Sequence, residues 1–278
     1  MNATTYLTGV TQVSASGKFT CALLSTGTVR CWGHNQYGQL GTGNTNDSSL
    51  AVQVSGITNA IQVTNGANQA CALLSDNTVK CWGYNNDGQL GDGSTTNRST
   101  PVQVVGASGS GSLTGVSVVS GGRLHTCALL SGGTVYCWGD NGNGELGDGT
   151  TTNRSLPVRV GSITNASTIS AGEYHSCAVL SDGTAQCWGA SAYGQVGDGT
   201  TADTSTPVTV IGPGGWGSLT GIAAISASGA DINETDDYEH TCALTSDGTV
   251  VCWGQNNYGQ LGNGTTTMSV SPVAVALL

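Results

Sequence analysis

The sequence predicts an all-β protein, a β-propeller of five four-stranded blades, each with a disulfide inside one hairpin. Three observations lead to this prediction: a segment that recurs five times, a pair of cysteines in every copy, and short strand-like runs separated by turn residues. Helical periodicity is absent. A four-stranded unit of this kind cannot bury both of its faces alone, and stacking such units around an axis buries them.

The recurring segment reads C-A-L-L-S-T-G-T-V-R-C-W-G in its first copy, and every copy ends in Cys-Trp-Gly. It predicts two strands joined by a three-residue loop, whose last residue adopts the left-handed conformation that Gly, or failing that Asn, tolerates. The copies lie at 21–33, 71–83, 127–139, 177–189 and 242–254. The residues at the left-handed position are Gly27, Asn77, Gly133, Gly183 and Gly248.

The two cysteines of each copy are predicted to form a disulfide. Counting outward from the loop places Cys21 opposite Cys31, and directly opposed residues on antiparallel strands are close enough to be bonded. Zinc sites combine short C-x2–4-C turns into sets of four, a spacing that this chain lacks, and reduced thiols are the other alternative. The predicted bonds are Cys21–Cys31, Cys71–Cys81, Cys127–Cys137, Cys177–Cys187 and Cys242–Cys252.

The repeats divide a single domain, residues 1–278, into five units. In the first unit an alternating run at 7–13 precedes the hairpin, and a turn-rich passage separates the hairpin from a fourth strand at 51–54. An open arc of blades would expose two apolar faces, so we expect the blades to close into a five-bladed ring. The units span approximately 7–56, 57–112, 113–162, 163–218 and 219–278.

Composition narrows the partners and the compartment. The chain has 7 Lys and Arg against 17 Asp and Glu, a net charge of −10, which argues against binding to nucleic acid or acidic membranes. It has no apolar run long enough for membrane insertion. Five disulfides indicate an oxidising compartment. Because the N-terminus lacks a signal-peptide pattern, we expect a secreted or cell-surface protein whose leader has been removed, with Met1 not native.

The repeat pattern G-x-x-H-x-C-A-L-L-S-x-G-T-V-x-C-W-G-x-N-x-x-G-Q-L-G-x-G, followed by P-V-x-V, resembles the regulator of chromosome condensation (alpha-tubulin suppressor-like) repeat. The resemblance covers all five units and implies a β-propeller, usually of seven blades. The third unit shows it at Gly122, His125, Ala128, Leu129, Gly133, Val135, Trp138, Gly139, Asn141, Gly144, Leu146, Gly147, Gly149 and Pro157.

The resemblance implies less about function, because one fold hosts many functions. The family includes a nuclear guanine-nucleotide exchange factor that binds chromatin, and secreted bacterial proteins, one of which inhibits β-lactamases through one propeller face. The acidic charge, the disulfides and the five units make this chain more similar to the secreted bacterial members.

Aromatic residues are the candidate ligand-binding side chains. Tyr37, Tyr193 and Tyr258 share one position in the loop after the Trp, Tyr84 lies nearby in the second unit, and Trp216 occupies a Gly-rich connector. Exposed aromatics on one propeller face suit a protein or sugar ligand. The alternative is that this loop tolerates many residues and that these have no special role. The Trp of Cys-Trp-Gly is predicted to pack between blades.

An acidic insertion in the fifth unit is the candidate calcium site. Its carboxylates could chelate calcium or contact a basic partner, and the alternative is a solvated acidic loop. Insertions in repeat proteins also often build the binding face. The candidate residues are Asp231, Glu234, Asp236, Asp237 and Glu239.

Two other sets of polar residues favour structural roles. His125, His175 and His240 share a position that holds Phe19 and Gln69 in the other units, which indicates packing or a hydrogen bond rather than a metal site. A second set lies in G-D-G turns and lacks the spacing of calcium ligands, so local hydrogen bonding is favoured. This second set consists of Asp92, Asp148 and Asp198.

No catalytic motif emerges. The chain lacks a G-x-S-x-G nucleophile turn and a phosphate-binding loop, and its cysteines are committed to disulfides. We therefore expect no enzyme activity and no cofactor except a possible calcium ion. The sequence predicts an extracellular recognition or adhesion module that binds a protein partner through propeller-face loops. The alternatives are a lectin-like, carbohydrate-binding propeller and a structural surface protein.

Overall fold

Five antiparallel four-stranded sheets, the blades, make up the computed structural model, which describes residues 6–228 and 239–277. Within each blade the strands are ordered as they occur in the chain. Blade 1 contains β1 (Val10–Ser16), β2 (Phe19–Leu24), β3 (Val29–Gly33) and β4 (Ser48–Gln53). Blade 2 contains β5 (Ala60–Asn65), β6 (Gln69–Leu74), β7 (Val79–Gly83) and β8 (Arg98–Gln103). Blade 3 contains β9 (Val116–Gly121), β10 (His125–Leu130), β11 (Val135–Gly139) and β12 (Arg154–Arg159). Blade 4 contains β13 (Ala166–Ala171), β14 (His175–Leu180), β15 (Ala185–Gly189) and β16 (Thr204–Thr209). Blade 5 contains β17 (Ile222–Ala227), β18 (His240–Thr245), β19 (Val250–Gly254) and β20 (Ser269–Ala274). A 3-10 turn, Pro213–Gly215, lies between β16 and β17.

The hairpin between the second and third strands has the predicted three-residue loop. In blade 1 the Gly27 N–H donates to the Leu24 carbonyl at 2.9 Å, and Gly27 has φ of 78°. Asn77, with φ of 62°, is the one non-glycine residue at positive φ among residues 6–228 and 239–277. A Cβ atom on Gly27 would lie 2.7 Å from the Thr58 carbonyl oxygen, so the next blade also restricts this position to glycine.

The five predicted disulfides are present, one in each blade. In every blade the two cysteines are directly opposed on the second and third strands, with Cα atoms 4.0 to 4.1 Å apart. No cysteine is left free. The bonds join Cys21 to Cys31, Cys71 to Cys81, Cys127 to Cys137, Cys177 to Cys187 and Cys242 to Cys252.

Neighbouring blades are held together by four apolar clusters, one at each junction. At the first junction Leu23 and Val29 of blade 1 pack against Val63 and Trp82 of blade 2. The Trp82 indole Nε1 also donates to the Gln39 carbonyl of blade 1 at 2.9 Å. The same bond is repeated from Trp138 to Gln89, from Trp188 to Glu145 and from Trp253 to Gln195. Four of the five repeat tryptophans therefore pack between blades, as predicted.

The predicted closure into a five-bladed ring is wrong. Inner strands of successive blades contact one another from β1 to β17, but no strand pair of comparable extent joins blade 5 to blade 1 within the described residues. Trp32 of blade 1 is consequently only half-buried. The angle between blades is set by the large side chains and disulfides that fill each junction. Five such steps do not complete a turn, and the blades form an open arc.

Candidate functional site

Because the strands of each blade are antiparallel, the arc has two opposite faces, one at each end of the strands. The loops that join first to second strands and third to fourth strands lie together at one end, which we name the loop face. The hairpin turns and the connectors between blades lie at the other end, the turn face. Tyr37, Tyr84, Tyr193 and Tyr258 are on the loop face, whereas Trp216 follows β16 and lies on the turn face. The structure thus separates the predicted aromatic residues into two groups.

A buried asparagine organises the long loop between the third and fourth strands. In blade 3 the Asn141 Nδ2 donates to the carbonyls of Thr150 and Thr152 at 3.1 Å, and its Oδ1 accepts the Leu146 N–H at 2.9 Å. The same arrangement is built on Asn35, Asn85 and Asn256. The N-x-x-G-Q-L-G pattern is therefore structural and fixes the backbone of the loop face.

The aspartates of the G-D-G turns are also structural in two blades. Asp92 accepts hydrogen bonds from Ser94 and forms an ion pair with Arg98 at 2.8 Å. Asp148 does the same with Thr150 and Arg154. Partial burial opposes ionisation, but the Ser94 hydrogen bonds and the Arg98 charge hold the pKa of Asp92 below its usual value. Across the described segments, no cluster of three or more His, Cys, Asp or Glu has the arrangement of a metal site.

The loops between first and second strands are joined in series around the inner edge of the arc. The Ala67 N–H donates to the Arg123 carbonyl at 3.3 Å, the Arg123 N–H to the Gly172 carbonyl at 3.1 Å, and the Glu173 N–H to the Ser228 carbonyl at 3.2 Å. Backbone hydrogen bonds across three junctions thus connect these loops, which form the inner rim of the arc.

Arg123 links blades 3 and 4 on this rim. Its Nε lies 3.4 Å from the Glu173 Oε1, and its guanidinium carbon lies 4.8 Å from the centre of the Tyr174 ring. Its Nη1 also donates to the Tyr174 hydroxyl. The ion pair and the cation–π contact together hold the tyrosine ring against the inner rim.

A depression of about 350 Å³ opens on the loop face beside this cluster, across blades 3 to 5. We name it the loop-face depression. The Tyr193 N–H donates to the Gln195 Oε1 at 2.9 Å, and the Gln195 Nε2 donates to the Glu239 carboxylate. Its lining includes Asn143, Tyr174, Tyr193, Gln195, Asp203 and Glu239. Because its lining combines carboxylates with tyrosine rings, it suits a ligand with cationic or hydrogen-bond-donating groups.

Glu239 is the one predicted calcium candidate within the described residues, and it is buried. Its carboxylate accepts a hydrogen bond from Gln195 in the neighbouring blade, and its carbonyl accepts the Gln255 N–H at 2.8 Å. These contacts place it at the floor of the loop-face depression rather than on an exposed acidic loop. Asp231, Glu234, Asp236 and Asp237 lie outside the described residues.

Further carboxyl groups lie on the neighbouring part of the loop face. Burial, with a smaller effect from the Asp140 charge, raises the pKa of Glu145 to about 7, although Asn143 hydrogen bonds oppose the shift. Burial and the charge of Asp140 likewise raise the pKa of Asp87. For both carboxyl groups burial is the main cause of the raised pKa, and the charge of Asp140 adds to it.

The predicted tyrosines differ in their surroundings. Tyr37 and Tyr84 pack edge to face with ring centres 4.9 Å apart, so both are half-buried across the junction of blades 1 and 2. Tyr193 lines the loop-face depression and Tyr258 is exposed on blade 5. Trp216 is 86% exposed, but it lies on the turn face. Only Tyr193 of the predicted set lies in the depression.

The shared histidine position is a packing site in blades 3 and 4. His125 Nε2 lies 2.9 Å from the Ser176 hydroxyl of blade 4, and His175 Nε2 lies 2.8 Å from the Thr241 hydroxyl of blade 5. Burial lowers the pKa of His125 to about 4 and that of His175 to about 3. Both rings are therefore neutral near pH 7, and each connects two blades.

Sequence reasoning missed Arg123, Glu173, Tyr174 and Glu145. These residues could have been recognised because they differ from the repeat pattern. Glu145 replaces the Gln of Q-L-G, and the other three occupy the variable positions before the histidine. No helix among the described residues has both the length and the apolar character needed to span a bilayer.

Comparison with known proteins identifies the repeat. The regulator of chromosome condensation (RCC1) repeat matches residues 26–73, 76–129 and 132–179, and a second description of the same repeat matches 10–39, 61–89, 116–145, 166–195 and 238–260. The Ultraviolet-B receptor UVR8 of Arabidopsis thaliana is 31% identical over 273 residues, which cover 96% of this chain and 46% of UVR8. The chain thus spans less than half the length of this relative.

Solved structures show the same fold. Human WBSCR16 superimposes with a TM-score of 0.78 at 24% identity, over 96% of this chain and 67% of that structure. Prp20p of Saccharomyces cerevisiae, studied with its binding to Gsp1p and histones, gives a TM-score of 0.78 at 20% identity, over 96% of this chain and 63% of that structure. Taken together, the matched repeats and the five stacked blades show that the chain belongs to the regulator of chromosome condensation repeat family.

Proposed function

We propose that this protein is an extracellular, non-enzymatic recognition or adhesion module that binds a protein partner through its loop face. The observation that supports this proposal is the loop-face depression, where Tyr174 and Tyr193 lie beside the carboxyl groups of Asp203 and Glu239. Tyrosine supplies a large contact area together with a hydroxyl group, at a small cost in side-chain entropy. Such residues carry much of the binding energy in protein interfaces.

The charge of the loop face favours a basic partner. The chain has a net charge of −10, and Asp87, Asp140 and Asp203 lie on this face, where the charge of Asp140 adds to the effect of burial on the pKa of Asp87. A partner segment with exposed Lys or Arg would be attracted to this field, and its cationic groups would meet Asp203 and the aromatic rings in the depression. The binding would weaken as salt screens the charges.

The scaffold suits recognition because hydrogen bonds connect the loops to one another and within themselves. The asparagine-centred hydrogen bonds and the inner-rim backbone bonds hold the loop face in one conformation, which lowers the entropy cost of binding. Among proteins of similar fold, yeast Prp20 has been solved bound to Kap60, and UVR8 is named as a receptor. These relatives support a binding role for a propeller of this family.

The five disulfides support the proposed location. Disulfides persist in oxidising compartments and are rare where thiols are kept reduced. Every cysteine of this chain is bonded, and those of blades 1 to 4 are buried at the blade junctions. A secreted or cell-surface protein is the setting in which this set of bonds would remain intact.

The loop-face proposal is tested by capture of proteins from an extracellular fraction on the immobilised, oxidised chain. We expect wild type and Trp216→Ala, changed on the turn face, to retain the same protein, whereas Tyr193→Ala loses it. We also expect elution by salt. Retention by Tyr193→Ala at wild-type level, with loss in Trp216→Ala, would place binding on the turn face and contradict the proposal. Circular dichroism confirms that each variant is folded.

A glycan array, run with and without calcium, tests the lectin alternative. We expect no saturable glycan binding in either condition. Saturable binding to one sugar class would overturn the protein-recognition proposal. Calcium-dependent binding would, in addition, assign a role to the carboxylates of the insertion.

A further inference from the structure

The loop between the third and fourth strands of blade 4, residues 190–203, lacks the asparagine that organises this loop in the other four blades. Ser191 takes its place, and the Ser191 hydroxyl is fully buried with no hydrogen-bond partner among the described residues. We propose that this loop binds a monovalent cation of potassium size in place of the missing amide group. The oxygens that would hold the cation belong to Ser191, Asp198, Thr200 and Ala202.

In blade 3 the amide nitrogen of the asparagine is surrounded by oxygen atoms. The Asn141 Nδ2 lies 3.1 Å from the carbonyl oxygens of Thr150 and Thr152. It lies 3.3 Å from the Thr150 hydroxyl and from Asp148 Oδ1. Asn85 has the corresponding four oxygen neighbours in blade 2. Each of these loops thus surrounds an N–H donor group with four oxygens.

The loop of blade 4 keeps the conformation that places these oxygens. The Ser191 N–H donates to the Asp203 side chain at 2.8 Å, and the Thr200 N–H and hydroxyl both donate to Asp198 Oδ1 at 2.9 Å. The same three hydrogen bonds occur at the corresponding positions of blade 3. Because a serine side chain leaves the backbone in the same direction as an asparagine side chain, the buried Ser191 hydroxyl adds a fifth oxygen to the group.

The charge of this loop also differs from that of the other blades. In blades 2 and 3 the aspartate of the G-D-G turn forms an ion pair with an arginine at the start of the fourth strand. At these two positions blades 1 and 5 carry no charge, since Thr42 and Asn263 replace the aspartate and serines replace the arginine. Blade 4 alone combines an aspartate, Asp198, with a neutral residue, Thr204. One bound cation would supply both the missing charge and the missing group at the centre of the oxygens.

Size favours a large monovalent ion. Oxygen ligands lie at about 2.0 to 2.1 Å from magnesium and at about 2.3 to 2.6 Å from calcium. The oxygens around the Asn141 amide nitrogen are 3.1 to 3.3 Å away, too far for either ion without contraction of the loop. Potassium is larger, and backbone carbonyl oxygens can replace its hydration shell. A single carboxylate, Asp198, also matches one positive charge.

Solvent can reach this group of oxygens from the loop face, because Thr200 is exposed and Asp198 is half-buried. A water molecule at the same position would donate only two hydrogen bonds to these oxygens and would not neutralise the Asp198 carboxylate. A cation satisfies all of the oxygens together. The inference does not depend on the loop-face proposal, because the experiments below detect the cation itself.

Thermal unfolding of the oxidised chain in potassium chloride and in tetramethylammonium chloride, at equal ionic strength, tests the site. We expect potassium, but not the larger tetramethylammonium ion, to raise the unfolding temperature of wild type to a limit reached as the site fills. Ser191→Asn supplies the amide, so this variant should be the more stable chain in tetramethylammonium chloride and should not respond to potassium.

Two further variants separate the charge of the site from the charge of the chain. Asp198→Asn reproduces the uncharged Asn263 of blade 5 and is expected to weaken the apparent potassium affinity about tenfold. Asp182→Asn removes an exposed aspartate from the hairpin turn of the same blade, and it should respond to potassium as wild type does.

Diffraction from crystals grown in rubidium chloride locates the ion, because rubidium replaces potassium and scatters anomalously. We expect one anomalous peak between Ser191, Asp198 and Thr200, and none in the corresponding loops of the other blades. Water without anomalous signal at this position, together with equal unfolding temperatures in the two salts, would overturn the proposal. A response to potassium that Ser191→Asn retains would also overturn it, since the ion would then bind elsewhere.

Discussion

At the residue scale, one ionisable side chain departs from the repeat at a buried position. Four blades carry Gln before the Leu or Val of Q-L-G, and blade 3 carries Glu145 there. Its oxygens accept hydrogen bonds from the Asn143 N–H at 2.9 Å and from the Asn143 Nδ2 at 2.8 Å. These bonds only partly offset the burial that raises its pKa to about 7. The other blades show that a neutral amide satisfies the same position.

Glu145→Gln is therefore expected to stabilise the fold at neutral and alkaline pH. The folded-state pKa of Glu145 exceeds its ordinary value, so this group favours folding fully below about 4.5 and that contribution is lost as the pH rises to about 7. We expect the variant to gain stability relative to wild type between about pH 5 and about pH 8, by at most about 3 kcal/mol. Urea unfolding at both pH values measures this difference. An equal difference at both values would contradict it.

His125→Gln is expected to lessen the loss of stability in acid. The folded-state pKa of His125 is depressed to about 4 because the ring is buried. Its contribution to stability is thus present above the ordinary pKa of about 6.5 and is lost as the pH falls to about 4. Gln69 occupies the same position in blade 2, so the amide is compatible with the site. Thermal unfolding between these pH values should show a shallower decline for the variant, and a parallel decline would refute it.

At the scale of the element, an asparagine side chain organises the loop between the third and fourth strands in four of the five blades. Blade 4 has Ser191 at this position, and the Ser191 hydroxyl is buried without a hydrogen-bond partner among the described residues. The backbone N–H of Ser191 nevertheless makes the hydrogen bond found at this position in other blades, donating to the Asp203 carboxylate at 2.8 Å. The loop therefore keeps its conformation in blade 4 without the hydrogen bonds of the asparagine side chain.

Ser191→Asn is expected to stabilise the protein by about 1 kcal/mol, because the amide would satisfy two loop carbonyls and the Val196 N–H. The matched change Asn141→Ala in blade 3 removes those bonds and should destabilise by roughly 2 to 4 kcal/mol, since buried backbone groups lose their partners. Denaturant midpoints of both variants, compared with wild type, check the pair. A destabilised Ser191→Asn variant would show that the asparagine does not itself support the loop.

The disulfides constrain a different element, the hairpin of the second and third strands. Replacing both Cys127 and Cys137 with Ala opens one hairpin and is expected to cost about 3 kcal/mol, by the loop-closure entropy of a ten-residue separation. The loss should appear in denaturant unfolding of the oxidised variant. Under reducing conditions wild type and the variant should converge. A variant as stable as oxidised wild type would show that the bond does not constrain the unfolded chain.

Sequence predicted the hairpins and disulfides because their geometry is local. The left-handed position at Gly27 fixes the loop, and the loop fixes which residues face each other. Closure was not predictable, because the angle between blades depends on how Leu23, Val63 and Trp82 fill a junction together. The burial of Glu239 was hidden for the same reason, since its partner Gln195 lies 44 residues away in the chain. Counting strands alone would have separated Trp216 from the loop tyrosines.

At the scale of the whole molecule, the loop face and the turn face differ in chemistry. The loop face carries the depression with its tyrosines and carboxyl groups, and the turn face carries the exposed Trp216. A partner that is recognised by the tyrosines and carboxyl groups would therefore contact the loop face.

Site-specific photo-crosslinking would show whether the loop face is the surface that recognises a protein. A benzophenone amino acid would replace Tyr193 in one sample and Trp216 in another, and each would be irradiated in the extracellular fraction. We expect a covalent adduct with one protein from position 193, lost in high salt, and none from position 216. An adduct from position 216 alone, or none from position 193, would contradict the claim that the loop face is the recognition surface.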